Sequence, residues 1–176
     1  MFSLNEKVVY PGYGVARINR VIEKRVGSHL TSFFELIFLD SSMTILVPVK
    51  NLSSVGVRKV SSDDTVKAIF KRLSEPVASS TQVGYTISYG SNWGKRYKKY
   101  QGKIKTGDLL KICDIYRDLN FLTIKKELSF GEKNLLKQIE HLLAQEISIV
   151  TSIDEKQALA ELRAQCKIGK QPVAAV

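Results

Sequence analysis

The hydrophobic period of this chain changes once, near Arg58, and that change limits what it can fold into. Up to Val57 the apolar residues come in short β-rich runs; beyond Arg58 they recur every three to four residues. A strand shows alternate side chains to one face and a helix every third or fourth, so the two stretches must form different architectures. Lys7 to Tyr10 reads as a strand. Pro11-Gly12-Tyr13-Gly14 is a turn in which proline presets its own φ and glycine accepts positive φ. Val15 to Glu23 and Ser32 to Leu39 extend again, with a turn at Asp40-Ser41-Ser42. Met43 to Val47 is a strand closed by Pro48, and Val55 to Val57 is read as a last short one. Four or five strands without a helix-length segment predict a small antiparallel β-barrel of Tudor or SH3 type.

After Arg58 helix starts are explicit. Ser61-Ser62-Asp63-Asp64 caps a helix carrying Val66, Ile69, Phe70 and Leu73, with Pro76 beyond its end. Val77 to Gly90, rich in Ser, Thr and Gly, is expected to be a long loop. A basic helix runs from a cap at Asn92 to about Lys105. Thr106-Gly107-Asp108 breaks it and opens the next, whose apolar side is read as Leu109, Leu110, Ile112, Cys113, Tyr116, Leu119 and Leu122. Ser129-Phe130-Gly131-Glu132 and Ser152-Ile153-Asp154-Glu155 match the capping box, serine with glutamate three later. The expected fold is α+β: a Tudor/SH3-like antiparallel β-barrel over residues 1–57, an all-α helical domain over 60–168 and a disordered tail over 169–176.

The chain of 176 residues carries a formal charge of +10, with a pI near 9.6, which calls for an anionic partner. Residues 1–57 hold six cations and four acids, net +2, leaving +8 for the rest. The charge peaks in Ser91 to Lys105, where Lys95, Arg96, Lys98, Lys99, Lys103 and Lys105 occur without an acid, beside Trp93, Tyr97 and Tyr100. Nucleic acid supplies both phosphates and stackable bases for such a segment. As a helix it puts Trp93, Tyr97, Tyr100 and Ile104 on one stripe, so spacing alone fits Trp93 both as core and as contact surface. Nothing resembles an active site. His29 and His141 lie apart and read as exposed, and Gly12-x-Gly14 lacks the rest of a phosphate loop. Asp108, Asp114 and Asp118 with Lys111 and Arg117 read as paired ions on a wet face. Cys113 and Cys166 have no metal-ligand spacing, so no metal or cofactor is expected. With no signal peptide and no long apolar run, the expected location is cytoplasmic.

A resemblance rests on seven segments in order: Lys7 to Gly14, Met43 to Pro48, Val55 to Arg58, Asn92-Trp93-x-x-Arg96-Tyr97, Gly107-Asp108, Arg117-Asp118-Leu119 and Leu128-Ser129-x-Gly131-Glu132-Lys133. Together they resemble the CarD/CdnL family of bacterial transcription regulators, and the first also resembles the polymerase-interacting domain of transcription-repair coupling factors. The loop from Pro76 to Trp93 is longer than in the family members it resembles. The resemblance implies a Tudor-like domain on the RNA polymerase β subunit and a helical domain on promoter DNA, with a nucleoid-associated location. It further implies polymerase contacts at Lys24 and Leu46, and makes the strand with Met43, Ile45, Leu46 and Val47 the pairing edge. Trp93, Arg96 and Lys98, with Lys95 and Lys99 beside them, fall where the family meets DNA at the melted promoter. The resulting expectation is a non-enzymatic regulator that stabilises the open promoter complex, with no membrane or small-molecule partner. A general nucleic-acid-binding protein with no polymerase partner is the alternative, and a scaffold joining only proteins a third reading.

Overall fold

A computed structural model describes residues 2–41, 43–75 and 93–166. The expected cap at Asn92, the loop over 77–90, the position of Pro76, part of the turn at Ser42 and the tail from Gly169 lie outside the described residues. The described residues form two compact units, one from the chain up to Val60 with Lys105–Gly107, the other from Ser61–Ile104 and Asp108 onward.

The first unit is an antiparallel sheet of five strands: β1 (Lys7–Tyr10), β2 (Gly14–Val26), β3 (His29–Phe38), β4 (Thr44–Pro48) and β5 (Arg58–Lys59), in the order β4-β3-β2-β1-β5. This is the Tudor-like arrangement expected, with one qualification: the sheet is open, with β4 and β5 at its edges. Tyr10 faces Gly14 across the first turn, where Gly12 and Gly14 take φ of 80° and 105°. β2 and β3 run longer than their apolar patterns, pairing out to Val26 and His29 around a two-residue turn opened by Gly27 at φ 62°. Val8, Ala16, Ile18, Phe34, Leu36, Phe38 and Val47 form the core face, closed by Leu52 and Val57. The expected strand Val55 to Val57 is corrected. Leu52–Val55 is one turn of helix (α1), ended by Gly56 at φ 81°. The last strand is Arg58–Lys59, opposite Val9 and Val8. Valines flanking a glycine imitate strand alternation, but the glycine stops a helix here.

The second unit contains α2 (Asp63–Ser74), α3 (Trp93–Lys105), α4 (Leu109–Lys125), α5 (Phe130–Thr151) and α6 (Glu155–Gln165). Ser62 accepts from the Thr65 amide, Asp108 from those of Leu110 and Lys111, and Ser129 closes a full capping box with Glu132. The second expected box is corrected: Asp154 caps α6, while Ser152 takes φ 57° and terminates α5. Three residues, Ser152 to Asp154, turn the chain between these helices, so the serine is used to stop one rather than start the next. α5 packs against α2, α4 and α6, and the core runs through Ile69, Leu73, Tyr116, Leu119, Ile139 and Leu143.

The wet face expected on α4 is also corrected. Arg117 and Asp118 are buried, because α4 is covered on more than its apolar side. Arg117 Nη2 donates to the Glu75 carbonyl at 2.9 Å, and Asp114 accepts from Arg72 Nε at 3.0 Å. Burial raises the Asp118 carboxyl to about 7, with Asp114 adding to the rise and Lys103 and Arg117 opposing it. The folded value exceeds the unfolded one, ~3.9. Proton binding therefore favours the folded state fully below the unfolded value, and that advantage is lost as pH rises through about 7. Asp118→Asn keeps the shape without the charge. It should melt above wild type at pH 8 and lose that lead below pH ~4, as thermal unfolding across pH would read.

Candidate nucleic-acid interface

α3 opens on Trp93 and carries no acid, so its fold must deal with six like charges. It divides them. Lys95, Lys98, Lys99 and Lys105 are exposed, while Arg96 and Lys103 are half-buried. None of Lys95, Lys98 and Lys99 enters an ion pair among the described residues. The aromatic stripe divides as well. Tyr100 and Ile104 are core, Tyr97 is exposed, and Trp93 lies between these extremes, packed on the helical core with part of its ring outside. Both readings of Trp93 therefore hold in part.

The indole is fixed from two sides. A Cβ placed on Gly131 would lie 3.2 Å from Trp93 Nε1 and 3.3 Å from Cζ2, so α5 meets the ring where it has no side chain. The Arg96 guanidinium carbon lies 5.9 Å from the ring centroid, within cation–π range. Arg96 is held in turn by Glu132. That carboxylate is fully buried, at 0% exposure. It accepts from Arg96 Nη2, from Lys126 Nζ at 2.9 and 3.0 Å, and from the Ser129 amide at 2.8 Å. Burial works to raise its pKa, but the hydrogen bonds from Lys126 and Ser129 outweigh it and hold the carboxyl below its usual range. Only 11% of the Arg96 side chain is exposed, so of the cations expected to meet DNA it is the one turned inward.

Beyond the cap and the segment that carries the family resemblance, the sequence assigned no role to Gly131 or Glu132, and none to Lys126. A glycine in the first turn of a long helix was the available signal, since it costs about 1 kcal/mol against alanine unless something must approach closely. Elsewhere, His141 is half-buried with Nδ1 2.8 Å from Glu155 Oε1, which corrects its reading as an exposed side chain. Cys113 is buried, and burial pushes its thiol up to about 12. No helix of the described residues is long and apolar enough to cross a membrane.

In the sheet unit, Lys24 pairs with Thr31, Ile22 with Phe33, which pairs in turn with Pro48, and Arg20 with Glu35, which pairs in turn with Leu46. Paired residues share a face. Lys24 and Leu46 thus lie on the face opposite the core, two rungs apart, with the Arg20–Glu35 ion pair between Leu46 and the rest of β2. Val47 is buried in the core and Ile45 packs against it. Met43 precedes β4, exposed, its carbonyl accepting from the Phe38 amide at 3.1 Å.

Two family models match the chain in succession: the CarD-like/TRCF RID domain over residues 2–61 and the CarD C-terminal domain over residues 84–163. A similar curated protein is the putative transcription factor YdeB of Bacillus subtilis (strain 168), 26% identical over 162 residues, covering 89% of this chain and 97% of that one. Among solved structures, the solution NMR structure of the 72-residue N-terminal domain of Myxococcus xanthus CarD matches at 27% identity and a TM-score of 0.30, over 34% of this chain and 79% of that one. A small antiparallel sheet followed by a helical domain, matched in that order, defines a transcription regulator of the kind that interacts with RNA polymerase. The chain belongs to the CarD/CdnL family.

Two outcomes follow from the Glu132 cluster. Glu132→Gln retains a capping side chain but leaves the Arg96 guanidinium without its anion, and should cost about 3 kcal/mol or more in chemical denaturation. Because the folded pKa of Glu132 is depressed, its contribution is present above the unfolded value, ~4.3, and lost as pH falls through the folded one. The stability gap between wild type and Glu132→Gln should therefore close in acid. Gly131→Ala should displace the only tryptophan of the chain and shift its fluorescence while leaving helix content unchanged. An unshifted spectrum would show that the ring is not seated on Gly131.

Proposed function

We propose that this protein is a non-enzymatic regulator that binds the RNA polymerase β subunit through its sheet unit and promoter DNA through α3, stabilising the open complex. The observation that carries the reading is the pairing of a partly buried, doubly anchored indole with exposed Lys95, Lys98 and Lys99 on one helix. Lysines on phosphates give affinity without sequence information. Tethering to polymerase supplies the location by raising the effective concentration at the promoter. At a melted edge, an apolar ring against an unstacked step opposes reannealing. Arg96 serves this purpose by positioning Trp93, and the lysines supply the charge. A bias of ~1 to 2 kcal/mol lengthens the open complex's life roughly 5- to 30-fold. No bond is made or broken by the protein.

On the sheet unit the reading uses β4 as a pairing edge. Its backbone offers hydrogen bonds to an added strand, while Leu46 and, further along the same face, Lys24 offer side chains. Met43 adds an exposed apolar group before the strand. Ile45 and Val47 face the core, so they take part through the backbone alone.

Lys98→Gln with Lys99→Gln should weaken DNA binding on every sequence and lower the salt slope by about 2. Trp93→Ala should shorten open-complex lifetime while costing less than ~2 kcal/mol of stability. Leu46→Asp should weaken polymerase binding without unfolding the sheet, whereas Val47→Ala should destabilise the sheet. Normal promoter lifetime with Trp93→Ala would contradict the DNA half of the proposal, and unchanged polymerase binding with Leu46→Asp the other half.

A further inference from the structure

Phe130 is 81% exposed, the highest value among the large apolar side chains of the described residues. It is the first residue of α5, directly after the Ser129 cap. Solvent exposure of a whole phenyl ring forfeits the apolar transfer energy that burying it would gain, so its placement calls for a partner. The ring does not stand alone. With Trp93 and Tyr97 it lines a cleft of about 320 Å³. Trp93 and Tyr97 have centroids 5.3 Å apart and planes tilted by 49°. Asn134 and Gln138, exposed and one helical turn apart on α5, line the same cleft.

We propose that this cleft receives one unpaired base of a single DNA strand, with Phe130 as an aromatic wall beside Trp93 and Tyr97. The proposal rests on the DNA-binding reading above. Three aromatic walls match a flat ligand, and carboxamides with both donors and acceptors suit a base edge. The charge specifies the class. Lys95, Lys98 and Lys99 are exposed on the helix that forms one wall, and that helix contains no acid. A neutral apolar peptide would gain nothing from them, whereas a strand with a phosphate at every base would. Gly131 lets the two walls meet closely, because a Cβ there would lie only 3.2 Å from the indole nitrogen. Phe130 therefore extends the contact from one ring to a cleft spanning α3 and α5.

The test uses the whole 176-residue chain, whose single tryptophan reports from the cleft itself. Fluorescence titrations at fixed salt compare a thymine-bearing single strand, an abasic strand of equal length and a duplex. Wild type should bind the base-bearing strand about fivefold or more tighter than the abasic strand, with quenching of Trp93. Phe130→Ala should bring that ratio to within about twofold, leaving abasic binding and the melting temperature unchanged, and Phe130→Tyr should keep the wild-type ratio. Equal binding of base-bearing and abasic strands by wild type, or an unaltered ratio in Phe130→Ala, would overturn the cleft while duplex binding still upheld the broader reading. Absence of binding to all three would overturn both.

Discussion

A single buried carboxylate ties the helical unit to its surface chemistry. Glu132 has no exposed area, yet it remains charged because an amide, an ammonium and a guanidinium all donate to it. The donors come from separate places: Ser129 at the start of α5, Lys126 at the end of α4, and Arg96 in α3. Ion pairs of this kind add little net stability, since desolvation consumes much of the attraction. What they do well is fix geometry. Arg96, a planar fork, can meet the carboxylate with one nitrogen while its plane stays near the indole. Trp93 is thereby oriented through Arg96 and seated on Gly131, and the exposed lysines surround a ring that is already in place.

The sheet unit follows a different logic. Its two faces are separated by strand alternation, so Val47 and Leu46, adjacent in sequence, do opposite work. One fills the core and the other is available outside. The long β2–β3 hairpin extends past β4, and among the described residues its outer residues, Lys24 among them, pair only with each other. An edge strand is normally a hazard because it invites uncontrolled pairing. Here β4 is only five residues long and ends in a proline, which limits what can add to it.

Much of this was legible in the sequence wherever local chemistry decides structure. Ser62, Asp108 and Ser129 announced their helices, and Pro48 closed its strand. The change of period near Arg58 separated sheet from helices. Local patterns misled where two readings share one signature. Val55-Gly56-Val57 alternates like a strand but ends a helix, and Ser152 with Glu155 spells a capping box while serving the preceding helix. The far end of the β2–β3 hairpin was missed because its outer residues are mostly polar, with Val26 and Leu30 exposed, and cross-strand pairing holds them extended. Arg117 and Asp118 looked like surface ions because burial depends on which helices cover α4, and that is decided by partners remote in sequence. For the same reason Trp93 fitted two roles. Its surroundings come from Arg96 one turn on and from Gly131 in a helix 38 residues away, which spacing within α3 does not reveal.

In the proposed promoter role, Glu132 acts through the indole it helps to position. A double-mutant cycle on open-complex lifetime tests it, combining Glu132→Gln with Trp93→Ala at a temperature where every variant is folded. Glu132→Gln should shorten the lifetime when Trp93 is present and have no further effect once the ring is gone. Equal shortening in both backgrounds would mean that Glu132 acts independently of Trp93, and would contradict that role.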